Sequence, residues 1–230
     1  MRRLVLLRHG ESVWNAEGRI QGQRCEGLSD LGHEQARLAA GSLARAYPDA
    51  AVVTSDLPRC VETAAPLTAM LGVVAVHDRR LRERSFGDWE GRLRSEVAEE
   101  DADRWRRWLL GEDVVGEVGG ESARQLADRI EPVWRELLAA TPDGGVTIAV
   151  THGGPVWHGT HRVLGVTPGT LGGVSNASVT ELIGWDAGVG PGGRAAAIVL
   201  DRWNETAHLP VELRTSWRPR VTSDAPPVGR

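Results

Sequence analysis

Two histidines, two arginines and one glutamate stand where chemistry is easiest to build, just past short apolar runs. Arg8-His9-Gly10-Glu11 follows the run Arg3–Leu7, and Thr151-His152-Gly153-Gly154 follows Val146–Val150. Thr54, Ser55 and Asp56 close the run Ala50–Thr54 and lead into Arg59. Glu83 lies in Leu81-Arg82-Glu83-Arg84, just past Val73–Val76. Forked guanidiniums bind phosphoryl oxygens two at a time, and turns that open helices offer free N–H groups to an anion. A neutral imidazole among such cations can accept a phosphoryl group as a nucleophile. A carboxyl whose pKa is raised by burial or by a substrate phosphate can protonate the departing oxygen. This combination points to phosphoryl transfer through a histidine. No acidic cluster of the kind that holds magnesium accompanies it.

The elements that must carry these residues follow from the hydrophobic pattern. Strands are predicted at Arg3–Leu7, Ala50–Thr54, Val73–Val76, Val146–Val150, Ser178–Ile183 and Ala195–Leu200, each apolar, mostly β-branched and bounded by polar or glycine punctuation. Helices are predicted at Leu31–Ala46 behind Ser29 and Asp30, at Pro58–Leu71, at Glu121–Ala140 with a kink at Pro132, and at Pro155–Leu164. Strands alternating with helices indicate an α/β fold with three α/β/α layers and a mostly parallel sheet. Ligands then bind at the carboxyl ends of the strands, where the five residues above gather. Residues 1–220 are expected to form one domain, with a helical insertion near 92–120 as a lid and 221–230 as a loose tail. Gly188–Gly193 reads as a glycine-rich hairpin or loop.

The string RHGESVWN from Arg8 to Asn15 resembles the signature of the histidine phosphatase superfamily, which includes the cofactor-dependent phosphoglycerate mutases. Further elements recur in that family's order: Gln21-Gly22, Leu28–Gly32, Ser55–Ala64, Leu81–Gly91, Gly119–Ser122, Thr151–Gly154 and Asn176–Ser178. The resemblance implies a phosphoglycerate-mutase-like fold with His9 as the nucleophile that becomes phosphohistidine. It implies that Arg8, Arg59 and His152 hold the phosphoryl oxygens, helped by Asn15 and the Gly153 amide. Glu83 would be the proton donor and later the base for water. Gln21 and Gly22 join the expected substrate-binding set.

The resemblance leaves phosphatase and mutase to be separated. Mutases carry a long basic insertion between the acid and the second histidine. Only 69 residues separate Glu83 from His152 here, and the chain contains no lysine at all. A tyrosine follows the acid in mutases, whereas Glu83-Arg84-Ser85-Phe86-Gly87 stands here. Hydrolysis is therefore the expected reaction, with mutase activity as the alternative and an inactive phospho-ligand-binding homologue as a second. Arg104, Arg106 and Arg107 are the cations able to replace the missing lysines. GDWEG, GGES, Gly172–Ser178 and Leu200–Asn204 resemble the actinobacterial glucosyl-3-phosphoglycerate phosphatases, which marks a kinship more than a substrate. A small phosphorylated metabolite, a sugar phosphate or phosphoglycerate derivative, is expected, and a broad-specificity sugar or small-organic phosphate phosphatase fits equally. Gln21, Arg24, Trp89, Arg106 and His158 are candidate contacts to its non-phosphate part, and Trp14 and Trp89 candidate walls of the pocket.

Composition narrows the rest. The 27 basic residues, all arginine, against 31 acidic ones give a net charge of −4, which argues against a nucleic-acid partner. The longest early apolar run, Leu4–Leu7, is too short for a membrane span or signal segment, so a cytoplasmic location is expected. Cys25 and Cys60 lack any CxxC context and are expected to be reduced and buried. His152, His158 and His161 do not share one helical face, so no metal is expected, and no cofactor either. The kinship implies a homodimer.

Overall fold

The structure, a computed structural model, describes residues 1–24, 26–185 and 197–215. Its elements run β1 (Arg2–Arg8), α1 (Val13–Ala16), α2 (Asp30–Ala46), β2 (Ala51–Thr54), α3 (Pro58–Leu71), β3 (Val76–His77), α4 (Arg94–Glu100) and α5 (Ala102–Leu109). They continue with α6 (Ala123–Ala140), β4 (Val146–Thr151), α7 (Gly153–Leu164), β5 (Val179–Gly184) and β6 (Ile198–Glu205). The strands form one sheet in the order β3-β2-β4-β1-β5-β6. All neighbours within β3, β2, β4 and β1 run parallel, and β5 is antiparallel to both β1 and β6. The expected α/β fold with a mostly parallel sheet is present.

Alternation along the central strand divides the core. Val5 and Leu7 join Ala39, Leu43, Ala64 and Leu67 of α2 and α3 on one face. Leu4 and Leu6 join Ile130, Trp134, Leu138 and Val156 of α6 and α7 on the other. Successive residues of a strand point to opposite faces, so β1, covered on both, reads as an unbroken apolar run. A third cluster lies apart from the sheet. Ile20, Trp89, Val97, Val114, Val115 and Val118 pack with Phe86, Trp105 and Trp108.

Local chemistry sets the boundaries. Ser29 caps α2 by accepting the Gly32 N–H, and Ser122 with Gln125 forms a capping box that starts α6 at Ala123 rather than at Glu121. Pro132 stands inside α6, which runs on to Ala140. The third strand is shorter and later than predicted. Gly72 ends α3 in the left-handed conformation, and the chain regains the sheet only at Val76, opposite Val53. The sixth strand is longer than predicted: as an edge strand it keeps Asp201 and Arg202 exposed, so polar residues did not end it. The segment expected as an insertion holds α4, α5 and a 3-10 turn at Val115–Val118. The predicted hairpin Gly188–Gly193, the tail 221–230 and Cys25 fall outside the described residues. Among the described residues, no helix is long and apolar enough to cross a membrane.

Candidate active site

Sheet register brings the two histidines together. Arg8 of β1 pairs with Thr151 of β4, so His9 and His152 leave adjacent strand ends side by side, their ring centroids 5.2 Å apart. Thr54 of β2 pairs with Val150, which sets Ser55 next in line. Leu57 and Pro58 then turn the chain into α3, whose second residue is Arg59. The Thr151 hydroxyl donates to the Leu81 carbonyl at 2.7 Å, tying the segment before Glu83 to the end of β4.

Hydrogen-bond polarity determines the state of each ring. His9 Nδ1 lies 2.6 Å from the Gly10 carbonyl, which can only accept, so the proton sits on Nδ1. The lone pair is left on Nε2, where it accepts from Arg59 Nε at 3.3 Å. The same Arg59 N–H donates to His152 Nδ1 at 3.1 Å, so His152 carries its proton on Nε2, 2.9 Å from Ser55 Oγ. Burial, followed by the charges of Arg59 and Arg8, holds the His9 pKa well below 6.5. Burial, then Arg59, does the same for His152. Both rings are neutral.

Arg59 is buried, and its terminal nitrogens donate to the carbonyls of Gly22 at 2.8 Å and Arg24 at 3.2 Å. Arg8 donates from one terminal nitrogen to the Val174 carbonyl, while its buried Nε has no partner. That open donor lies beside Gly153, where a Cβ would come within 3.5 Å of it. Burial lowers the Arg8 pKa to about 10, against a raising effect from Glu83, and the group stays charged at neutral pH. The carboxylate of Glu83 accepts the N–H of Gly154 at 3.0 Å and of Arg84 at 2.9 Å, which seats it at the start of α7. Asn15 Oδ1 accepts from the Ser12 N–H, and Gln21 Oε1 from the Ser12 hydroxyl at 2.7 Å. All nine sequence-predicted site residues therefore converge on one place, at the carboxyl ends of β1, β2 and β4.

Glycines explain why distant motifs accompany one another. A Cβ on Gly10 would stand 2.4 Å from the Gly32 carbonyl oxygen, so the turn after β1 lies directly on the first turn of α2. Gly22 has φ +57, and a Cβ there would strike Glu90 Oε1 at 2.0 Å. Glu90 in turn accepts the N–H groups of Gln23 and Phe86, joining the loop after Gln21 to the loop after Glu83.

The candidate contacts to the non-phosphate part of a substrate have varied surroundings. Trp89 is 1% exposed, packs in the third cluster and donates to Asp101 at 3.0 Å, so it walls no pocket. Arg106 is 73% exposed and pairs with Asp103, and Arg24 is exposed beside Glu90. Arg104 and Arg107 are ion-paired with Asp101, Glu112 and Glu117, which offsets these two cations. His161 is engaged through both ring nitrogens, with the Trp157 carbonyl and the Leu171 N–H, and the His158 ring packs on Trp157.

The structure gives contacts to residues for which the sequence suggested no role. Ser55 holds His152, and Asn176 reaches the turn after His9. Arg94, in the first turn of α4, has no acidic partner among the described residues and lies close enough to Arg8 for its charge to act there. The residue is exposed to solvent, and desolvation by its surroundings lowers its pKa. Its only sequence signal is the alternation Arg92-Leu93-Arg94 within the insertion.

Comparison with known proteins agrees with this geometry. A family model described as histidine phosphatase superfamily (branch 1) matches residues 4–190. A glucosyl-3-phosphoglycerate phosphatase of Mycolicibacterium vanbaalenii is 39% identical over 226 residues, covering 91% of this chain and 97% of that protein. The structure of a mycobacterial glucosyl-3-phosphoglycerate phosphatase in complex with VO3 superposes with a TM-score of 0.78 at 35% identity, covering 90% of this chain and all of that one. The Salmonella paratyphi C protein named Probable phosphoglycerate mutase GpmB is 37% identical, but over 154 residues, 66% of this chain and 70% of its own length. The whole-chain likeness is thus to phosphatases, and the chain belongs to the histidine phosphatase superfamily.

Proposed function

We propose that this phosphatase hydrolyses a small phosphorylated metabolite through a phosphohistidine on His9. The carrying observation is the His9 tautomer: Nδ1–H is committed to the Gly10 carbonyl, so the Nε2 lone pair faces Arg59. In the first step Nε2 attacks phosphorus, the bond to the leaving oxygen breaks, and Glu83 supplies the proton that oxygen needs. Arg8, Arg59, His152, Asn15 and the Gly153 amide take the charge of the phosphoryl oxygens. In the second step water attacks phosphorus, Glu83 accepts its proton, and the P–N bond breaks to release phosphate and neutral His9. Gln21 and Gly22 complete the pocket by ordering Ser12 and Arg59.

For the substrate we propose a phosphoglycerate derivative such as glucosyl-3-phosphoglycerate, handled in the cytoplasm. The relatives' names support this, and Arg94 supplies a cation beside the phosphoryl site suited to the glycerate carboxylate. The segment 92–120, which carries Arg94, acts as a lid over the phosphoryl site. Wild type should release phosphate from both an aryl phosphate and glucosyl-3-phosphoglycerate, and His9→Ala should lose at least about 10³-fold in rate. Arg94→Gln should raise KM for the glycerate ester on the order of 10-fold while leaving the aryl phosphate unchanged. Equal rates for wild type and His9→Ala would overturn the phosphohistidine. Isomerisation of 3-phosphoglycerate without phosphate release would make the enzyme a mutase.

A further inference from the structure

Asn176 opens a motif, Asn176-Ala177-Ser178, that the reaction above leaves unused. It is buried, 6% exposed, in the segment leading into β5. Its amide nitrogen donates to the carbonyls of His9 at 3.3 Å and Gly10 at 3.4 Å, and to Asn15 Oδ1 at 3.1 Å. Its Oδ1 accepts the Thr215 hydroxyl at 3.2 Å. The neighbouring Ala177, in the left-handed region at φ 52, adds a backbone N–H to the His9 carbonyl at 3.0 Å.

The direction of every bond in this chain is set by groups that have one polarity. Backbone carbonyls only accept, so the nitrogen of Asn176 faces His9 and Gly10, and its oxygen faces Thr215. The Ser12 N–H only donates, so Asn15 must turn Oδ1 toward it and toward Asn176. Asn15 Nδ2 is thereby left as a donor with no hydrogen bond among the described residues. The carbonyl of Gly10, held by Asn176, is also the one that keeps the proton on His9 Nδ1.

We propose that Asn176 is a positioning residue of the phosphoryl site: it orients the Asn15 amide so that Nδ2 donates to a phosphoryl oxygen, and it steadies the Gly10 carbonyl behind His9. The inference rests on the reading of Asn15 as a phosphoryl ligand and is tested through the coupling between the two residues.

The experiment is a double-mutant cycle on the full chain, with kcat, KM and inhibition by vanadate measured for Asn15→Ala, Asn176→Ala and the pair. Each single variant should weaken vanadate inhibition and lower kcat/KM on the order of 10- to 100-fold, since small displacements of a binding group carry that penalty. The double variant should be no worse than Asn15→Ala by more than about 3-fold, because Asn176 acts partly through the group already removed. Losses that multiply in full would overturn the proposal, as would a wild-type vanadate constant in Asn176→Ala. Asn176→Asp serves where the alanine variant does not fold. It keeps the shape and the bond from Thr215 but has no donor for Asn15, and wild-type kinetics in it would equally refute the role. A wild type inactive on phosphate esters would instead overturn the proposed function.

Discussion

At the scale of single residues, the site depends on protons placed by groups that have no choice. One N–H of Arg59 meets both histidines, so each must present a lone pair to it. Gly154 shows how tight the arrangement is. Its N–H holds Glu83, and a Cβ there would fall 2.1 Å from Glu83 Oε1. Alanine is the better helix former by about 0.8–1.0 kcal/mol. Gly154→Ala should therefore keep a melting temperature near that of the wild type while displacing Glu83 and lowering kcat on the order of 10²-fold, the loss expected when general acid catalysis fails. Calorimetry beside steady-state rates separates the two effects. Arg8, His9, Arg59, Glu83 and His152 were legible in the sequence because each follows a predicted strand, and ligands bind at the carboxyl ends of strands in such sheets. Asn176 and Ser55 stood out only as members of motifs, because their meaning lies in contacts spanning 166 and 97 positions, which no local pattern encodes.

Among elements, the regular α/β alternation was readable from hydrophobic periodicity, and the exceptions have local causes. β3 is clipped because Gly72 spends the following residues on a turn, leaving Val74 91% exposed where burial had been expected. Trp89 looked like a pocket wall from its place near Glu83, but its indole is drawn into the third cluster by Val97, Val115 and Trp105. The insertion is joined to the loop bearing Glu83 by close backbone packing as well as by side chains such as Arg84 on Asp113 and Trp89 on Asp101. A Cβ on Gly87 would lie 1.9 Å from the Val118 carbonyl oxygen, and Gly87 itself has φ +55. Overpacking of this kind costs about 1–3 kcal/mol, and the left-handed backbone adds to it. Gly87→Ala should lower the melting temperature by several degrees, on the order of 2–4 °C per kcal/mol for a chain of this size. An unchanged melting temperature would show that the two loops part freely.

For the whole molecule, the arginine-only cation set matters in two ways. Among the described residues most of these side chains pair with acids, and the exposed pairs, as with Arg80 between Asp78 and Glu136, contribute little each. Arg8 and Arg59 are instead at the sheet's carboxyl edge, where burial, reinforced by their charges, keeps two histidines neutral. Those histidines link folding to pH. In the unfolded chain each protonates near 6.5, and in the folded chain only well below it, so the unfolded state binds more protons in acid. Their contribution is complete above about pH 6.5 and is lost as the pH falls, each changing stability by at most about 1.4 kcal/mol per pH unit. Urea denaturation between pH 5 and 7 should show this slope, and His152→Gln should flatten it. A slope unchanged in that variant would mean that carboxylates dominate the acid limb.

The third cluster has an optical consequence. Trp105 and Trp108 stand 4.9 Å apart, and each lies 6.1 Å from Trp89. Indoles at such separations share their excited states, so the segment bearing Arg94 carries a built-in chromophore distinct from the tryptophan buried in α6. Any rearrangement of that segment on adding substrate would be written into circular dichroism and emission, with no dye attached.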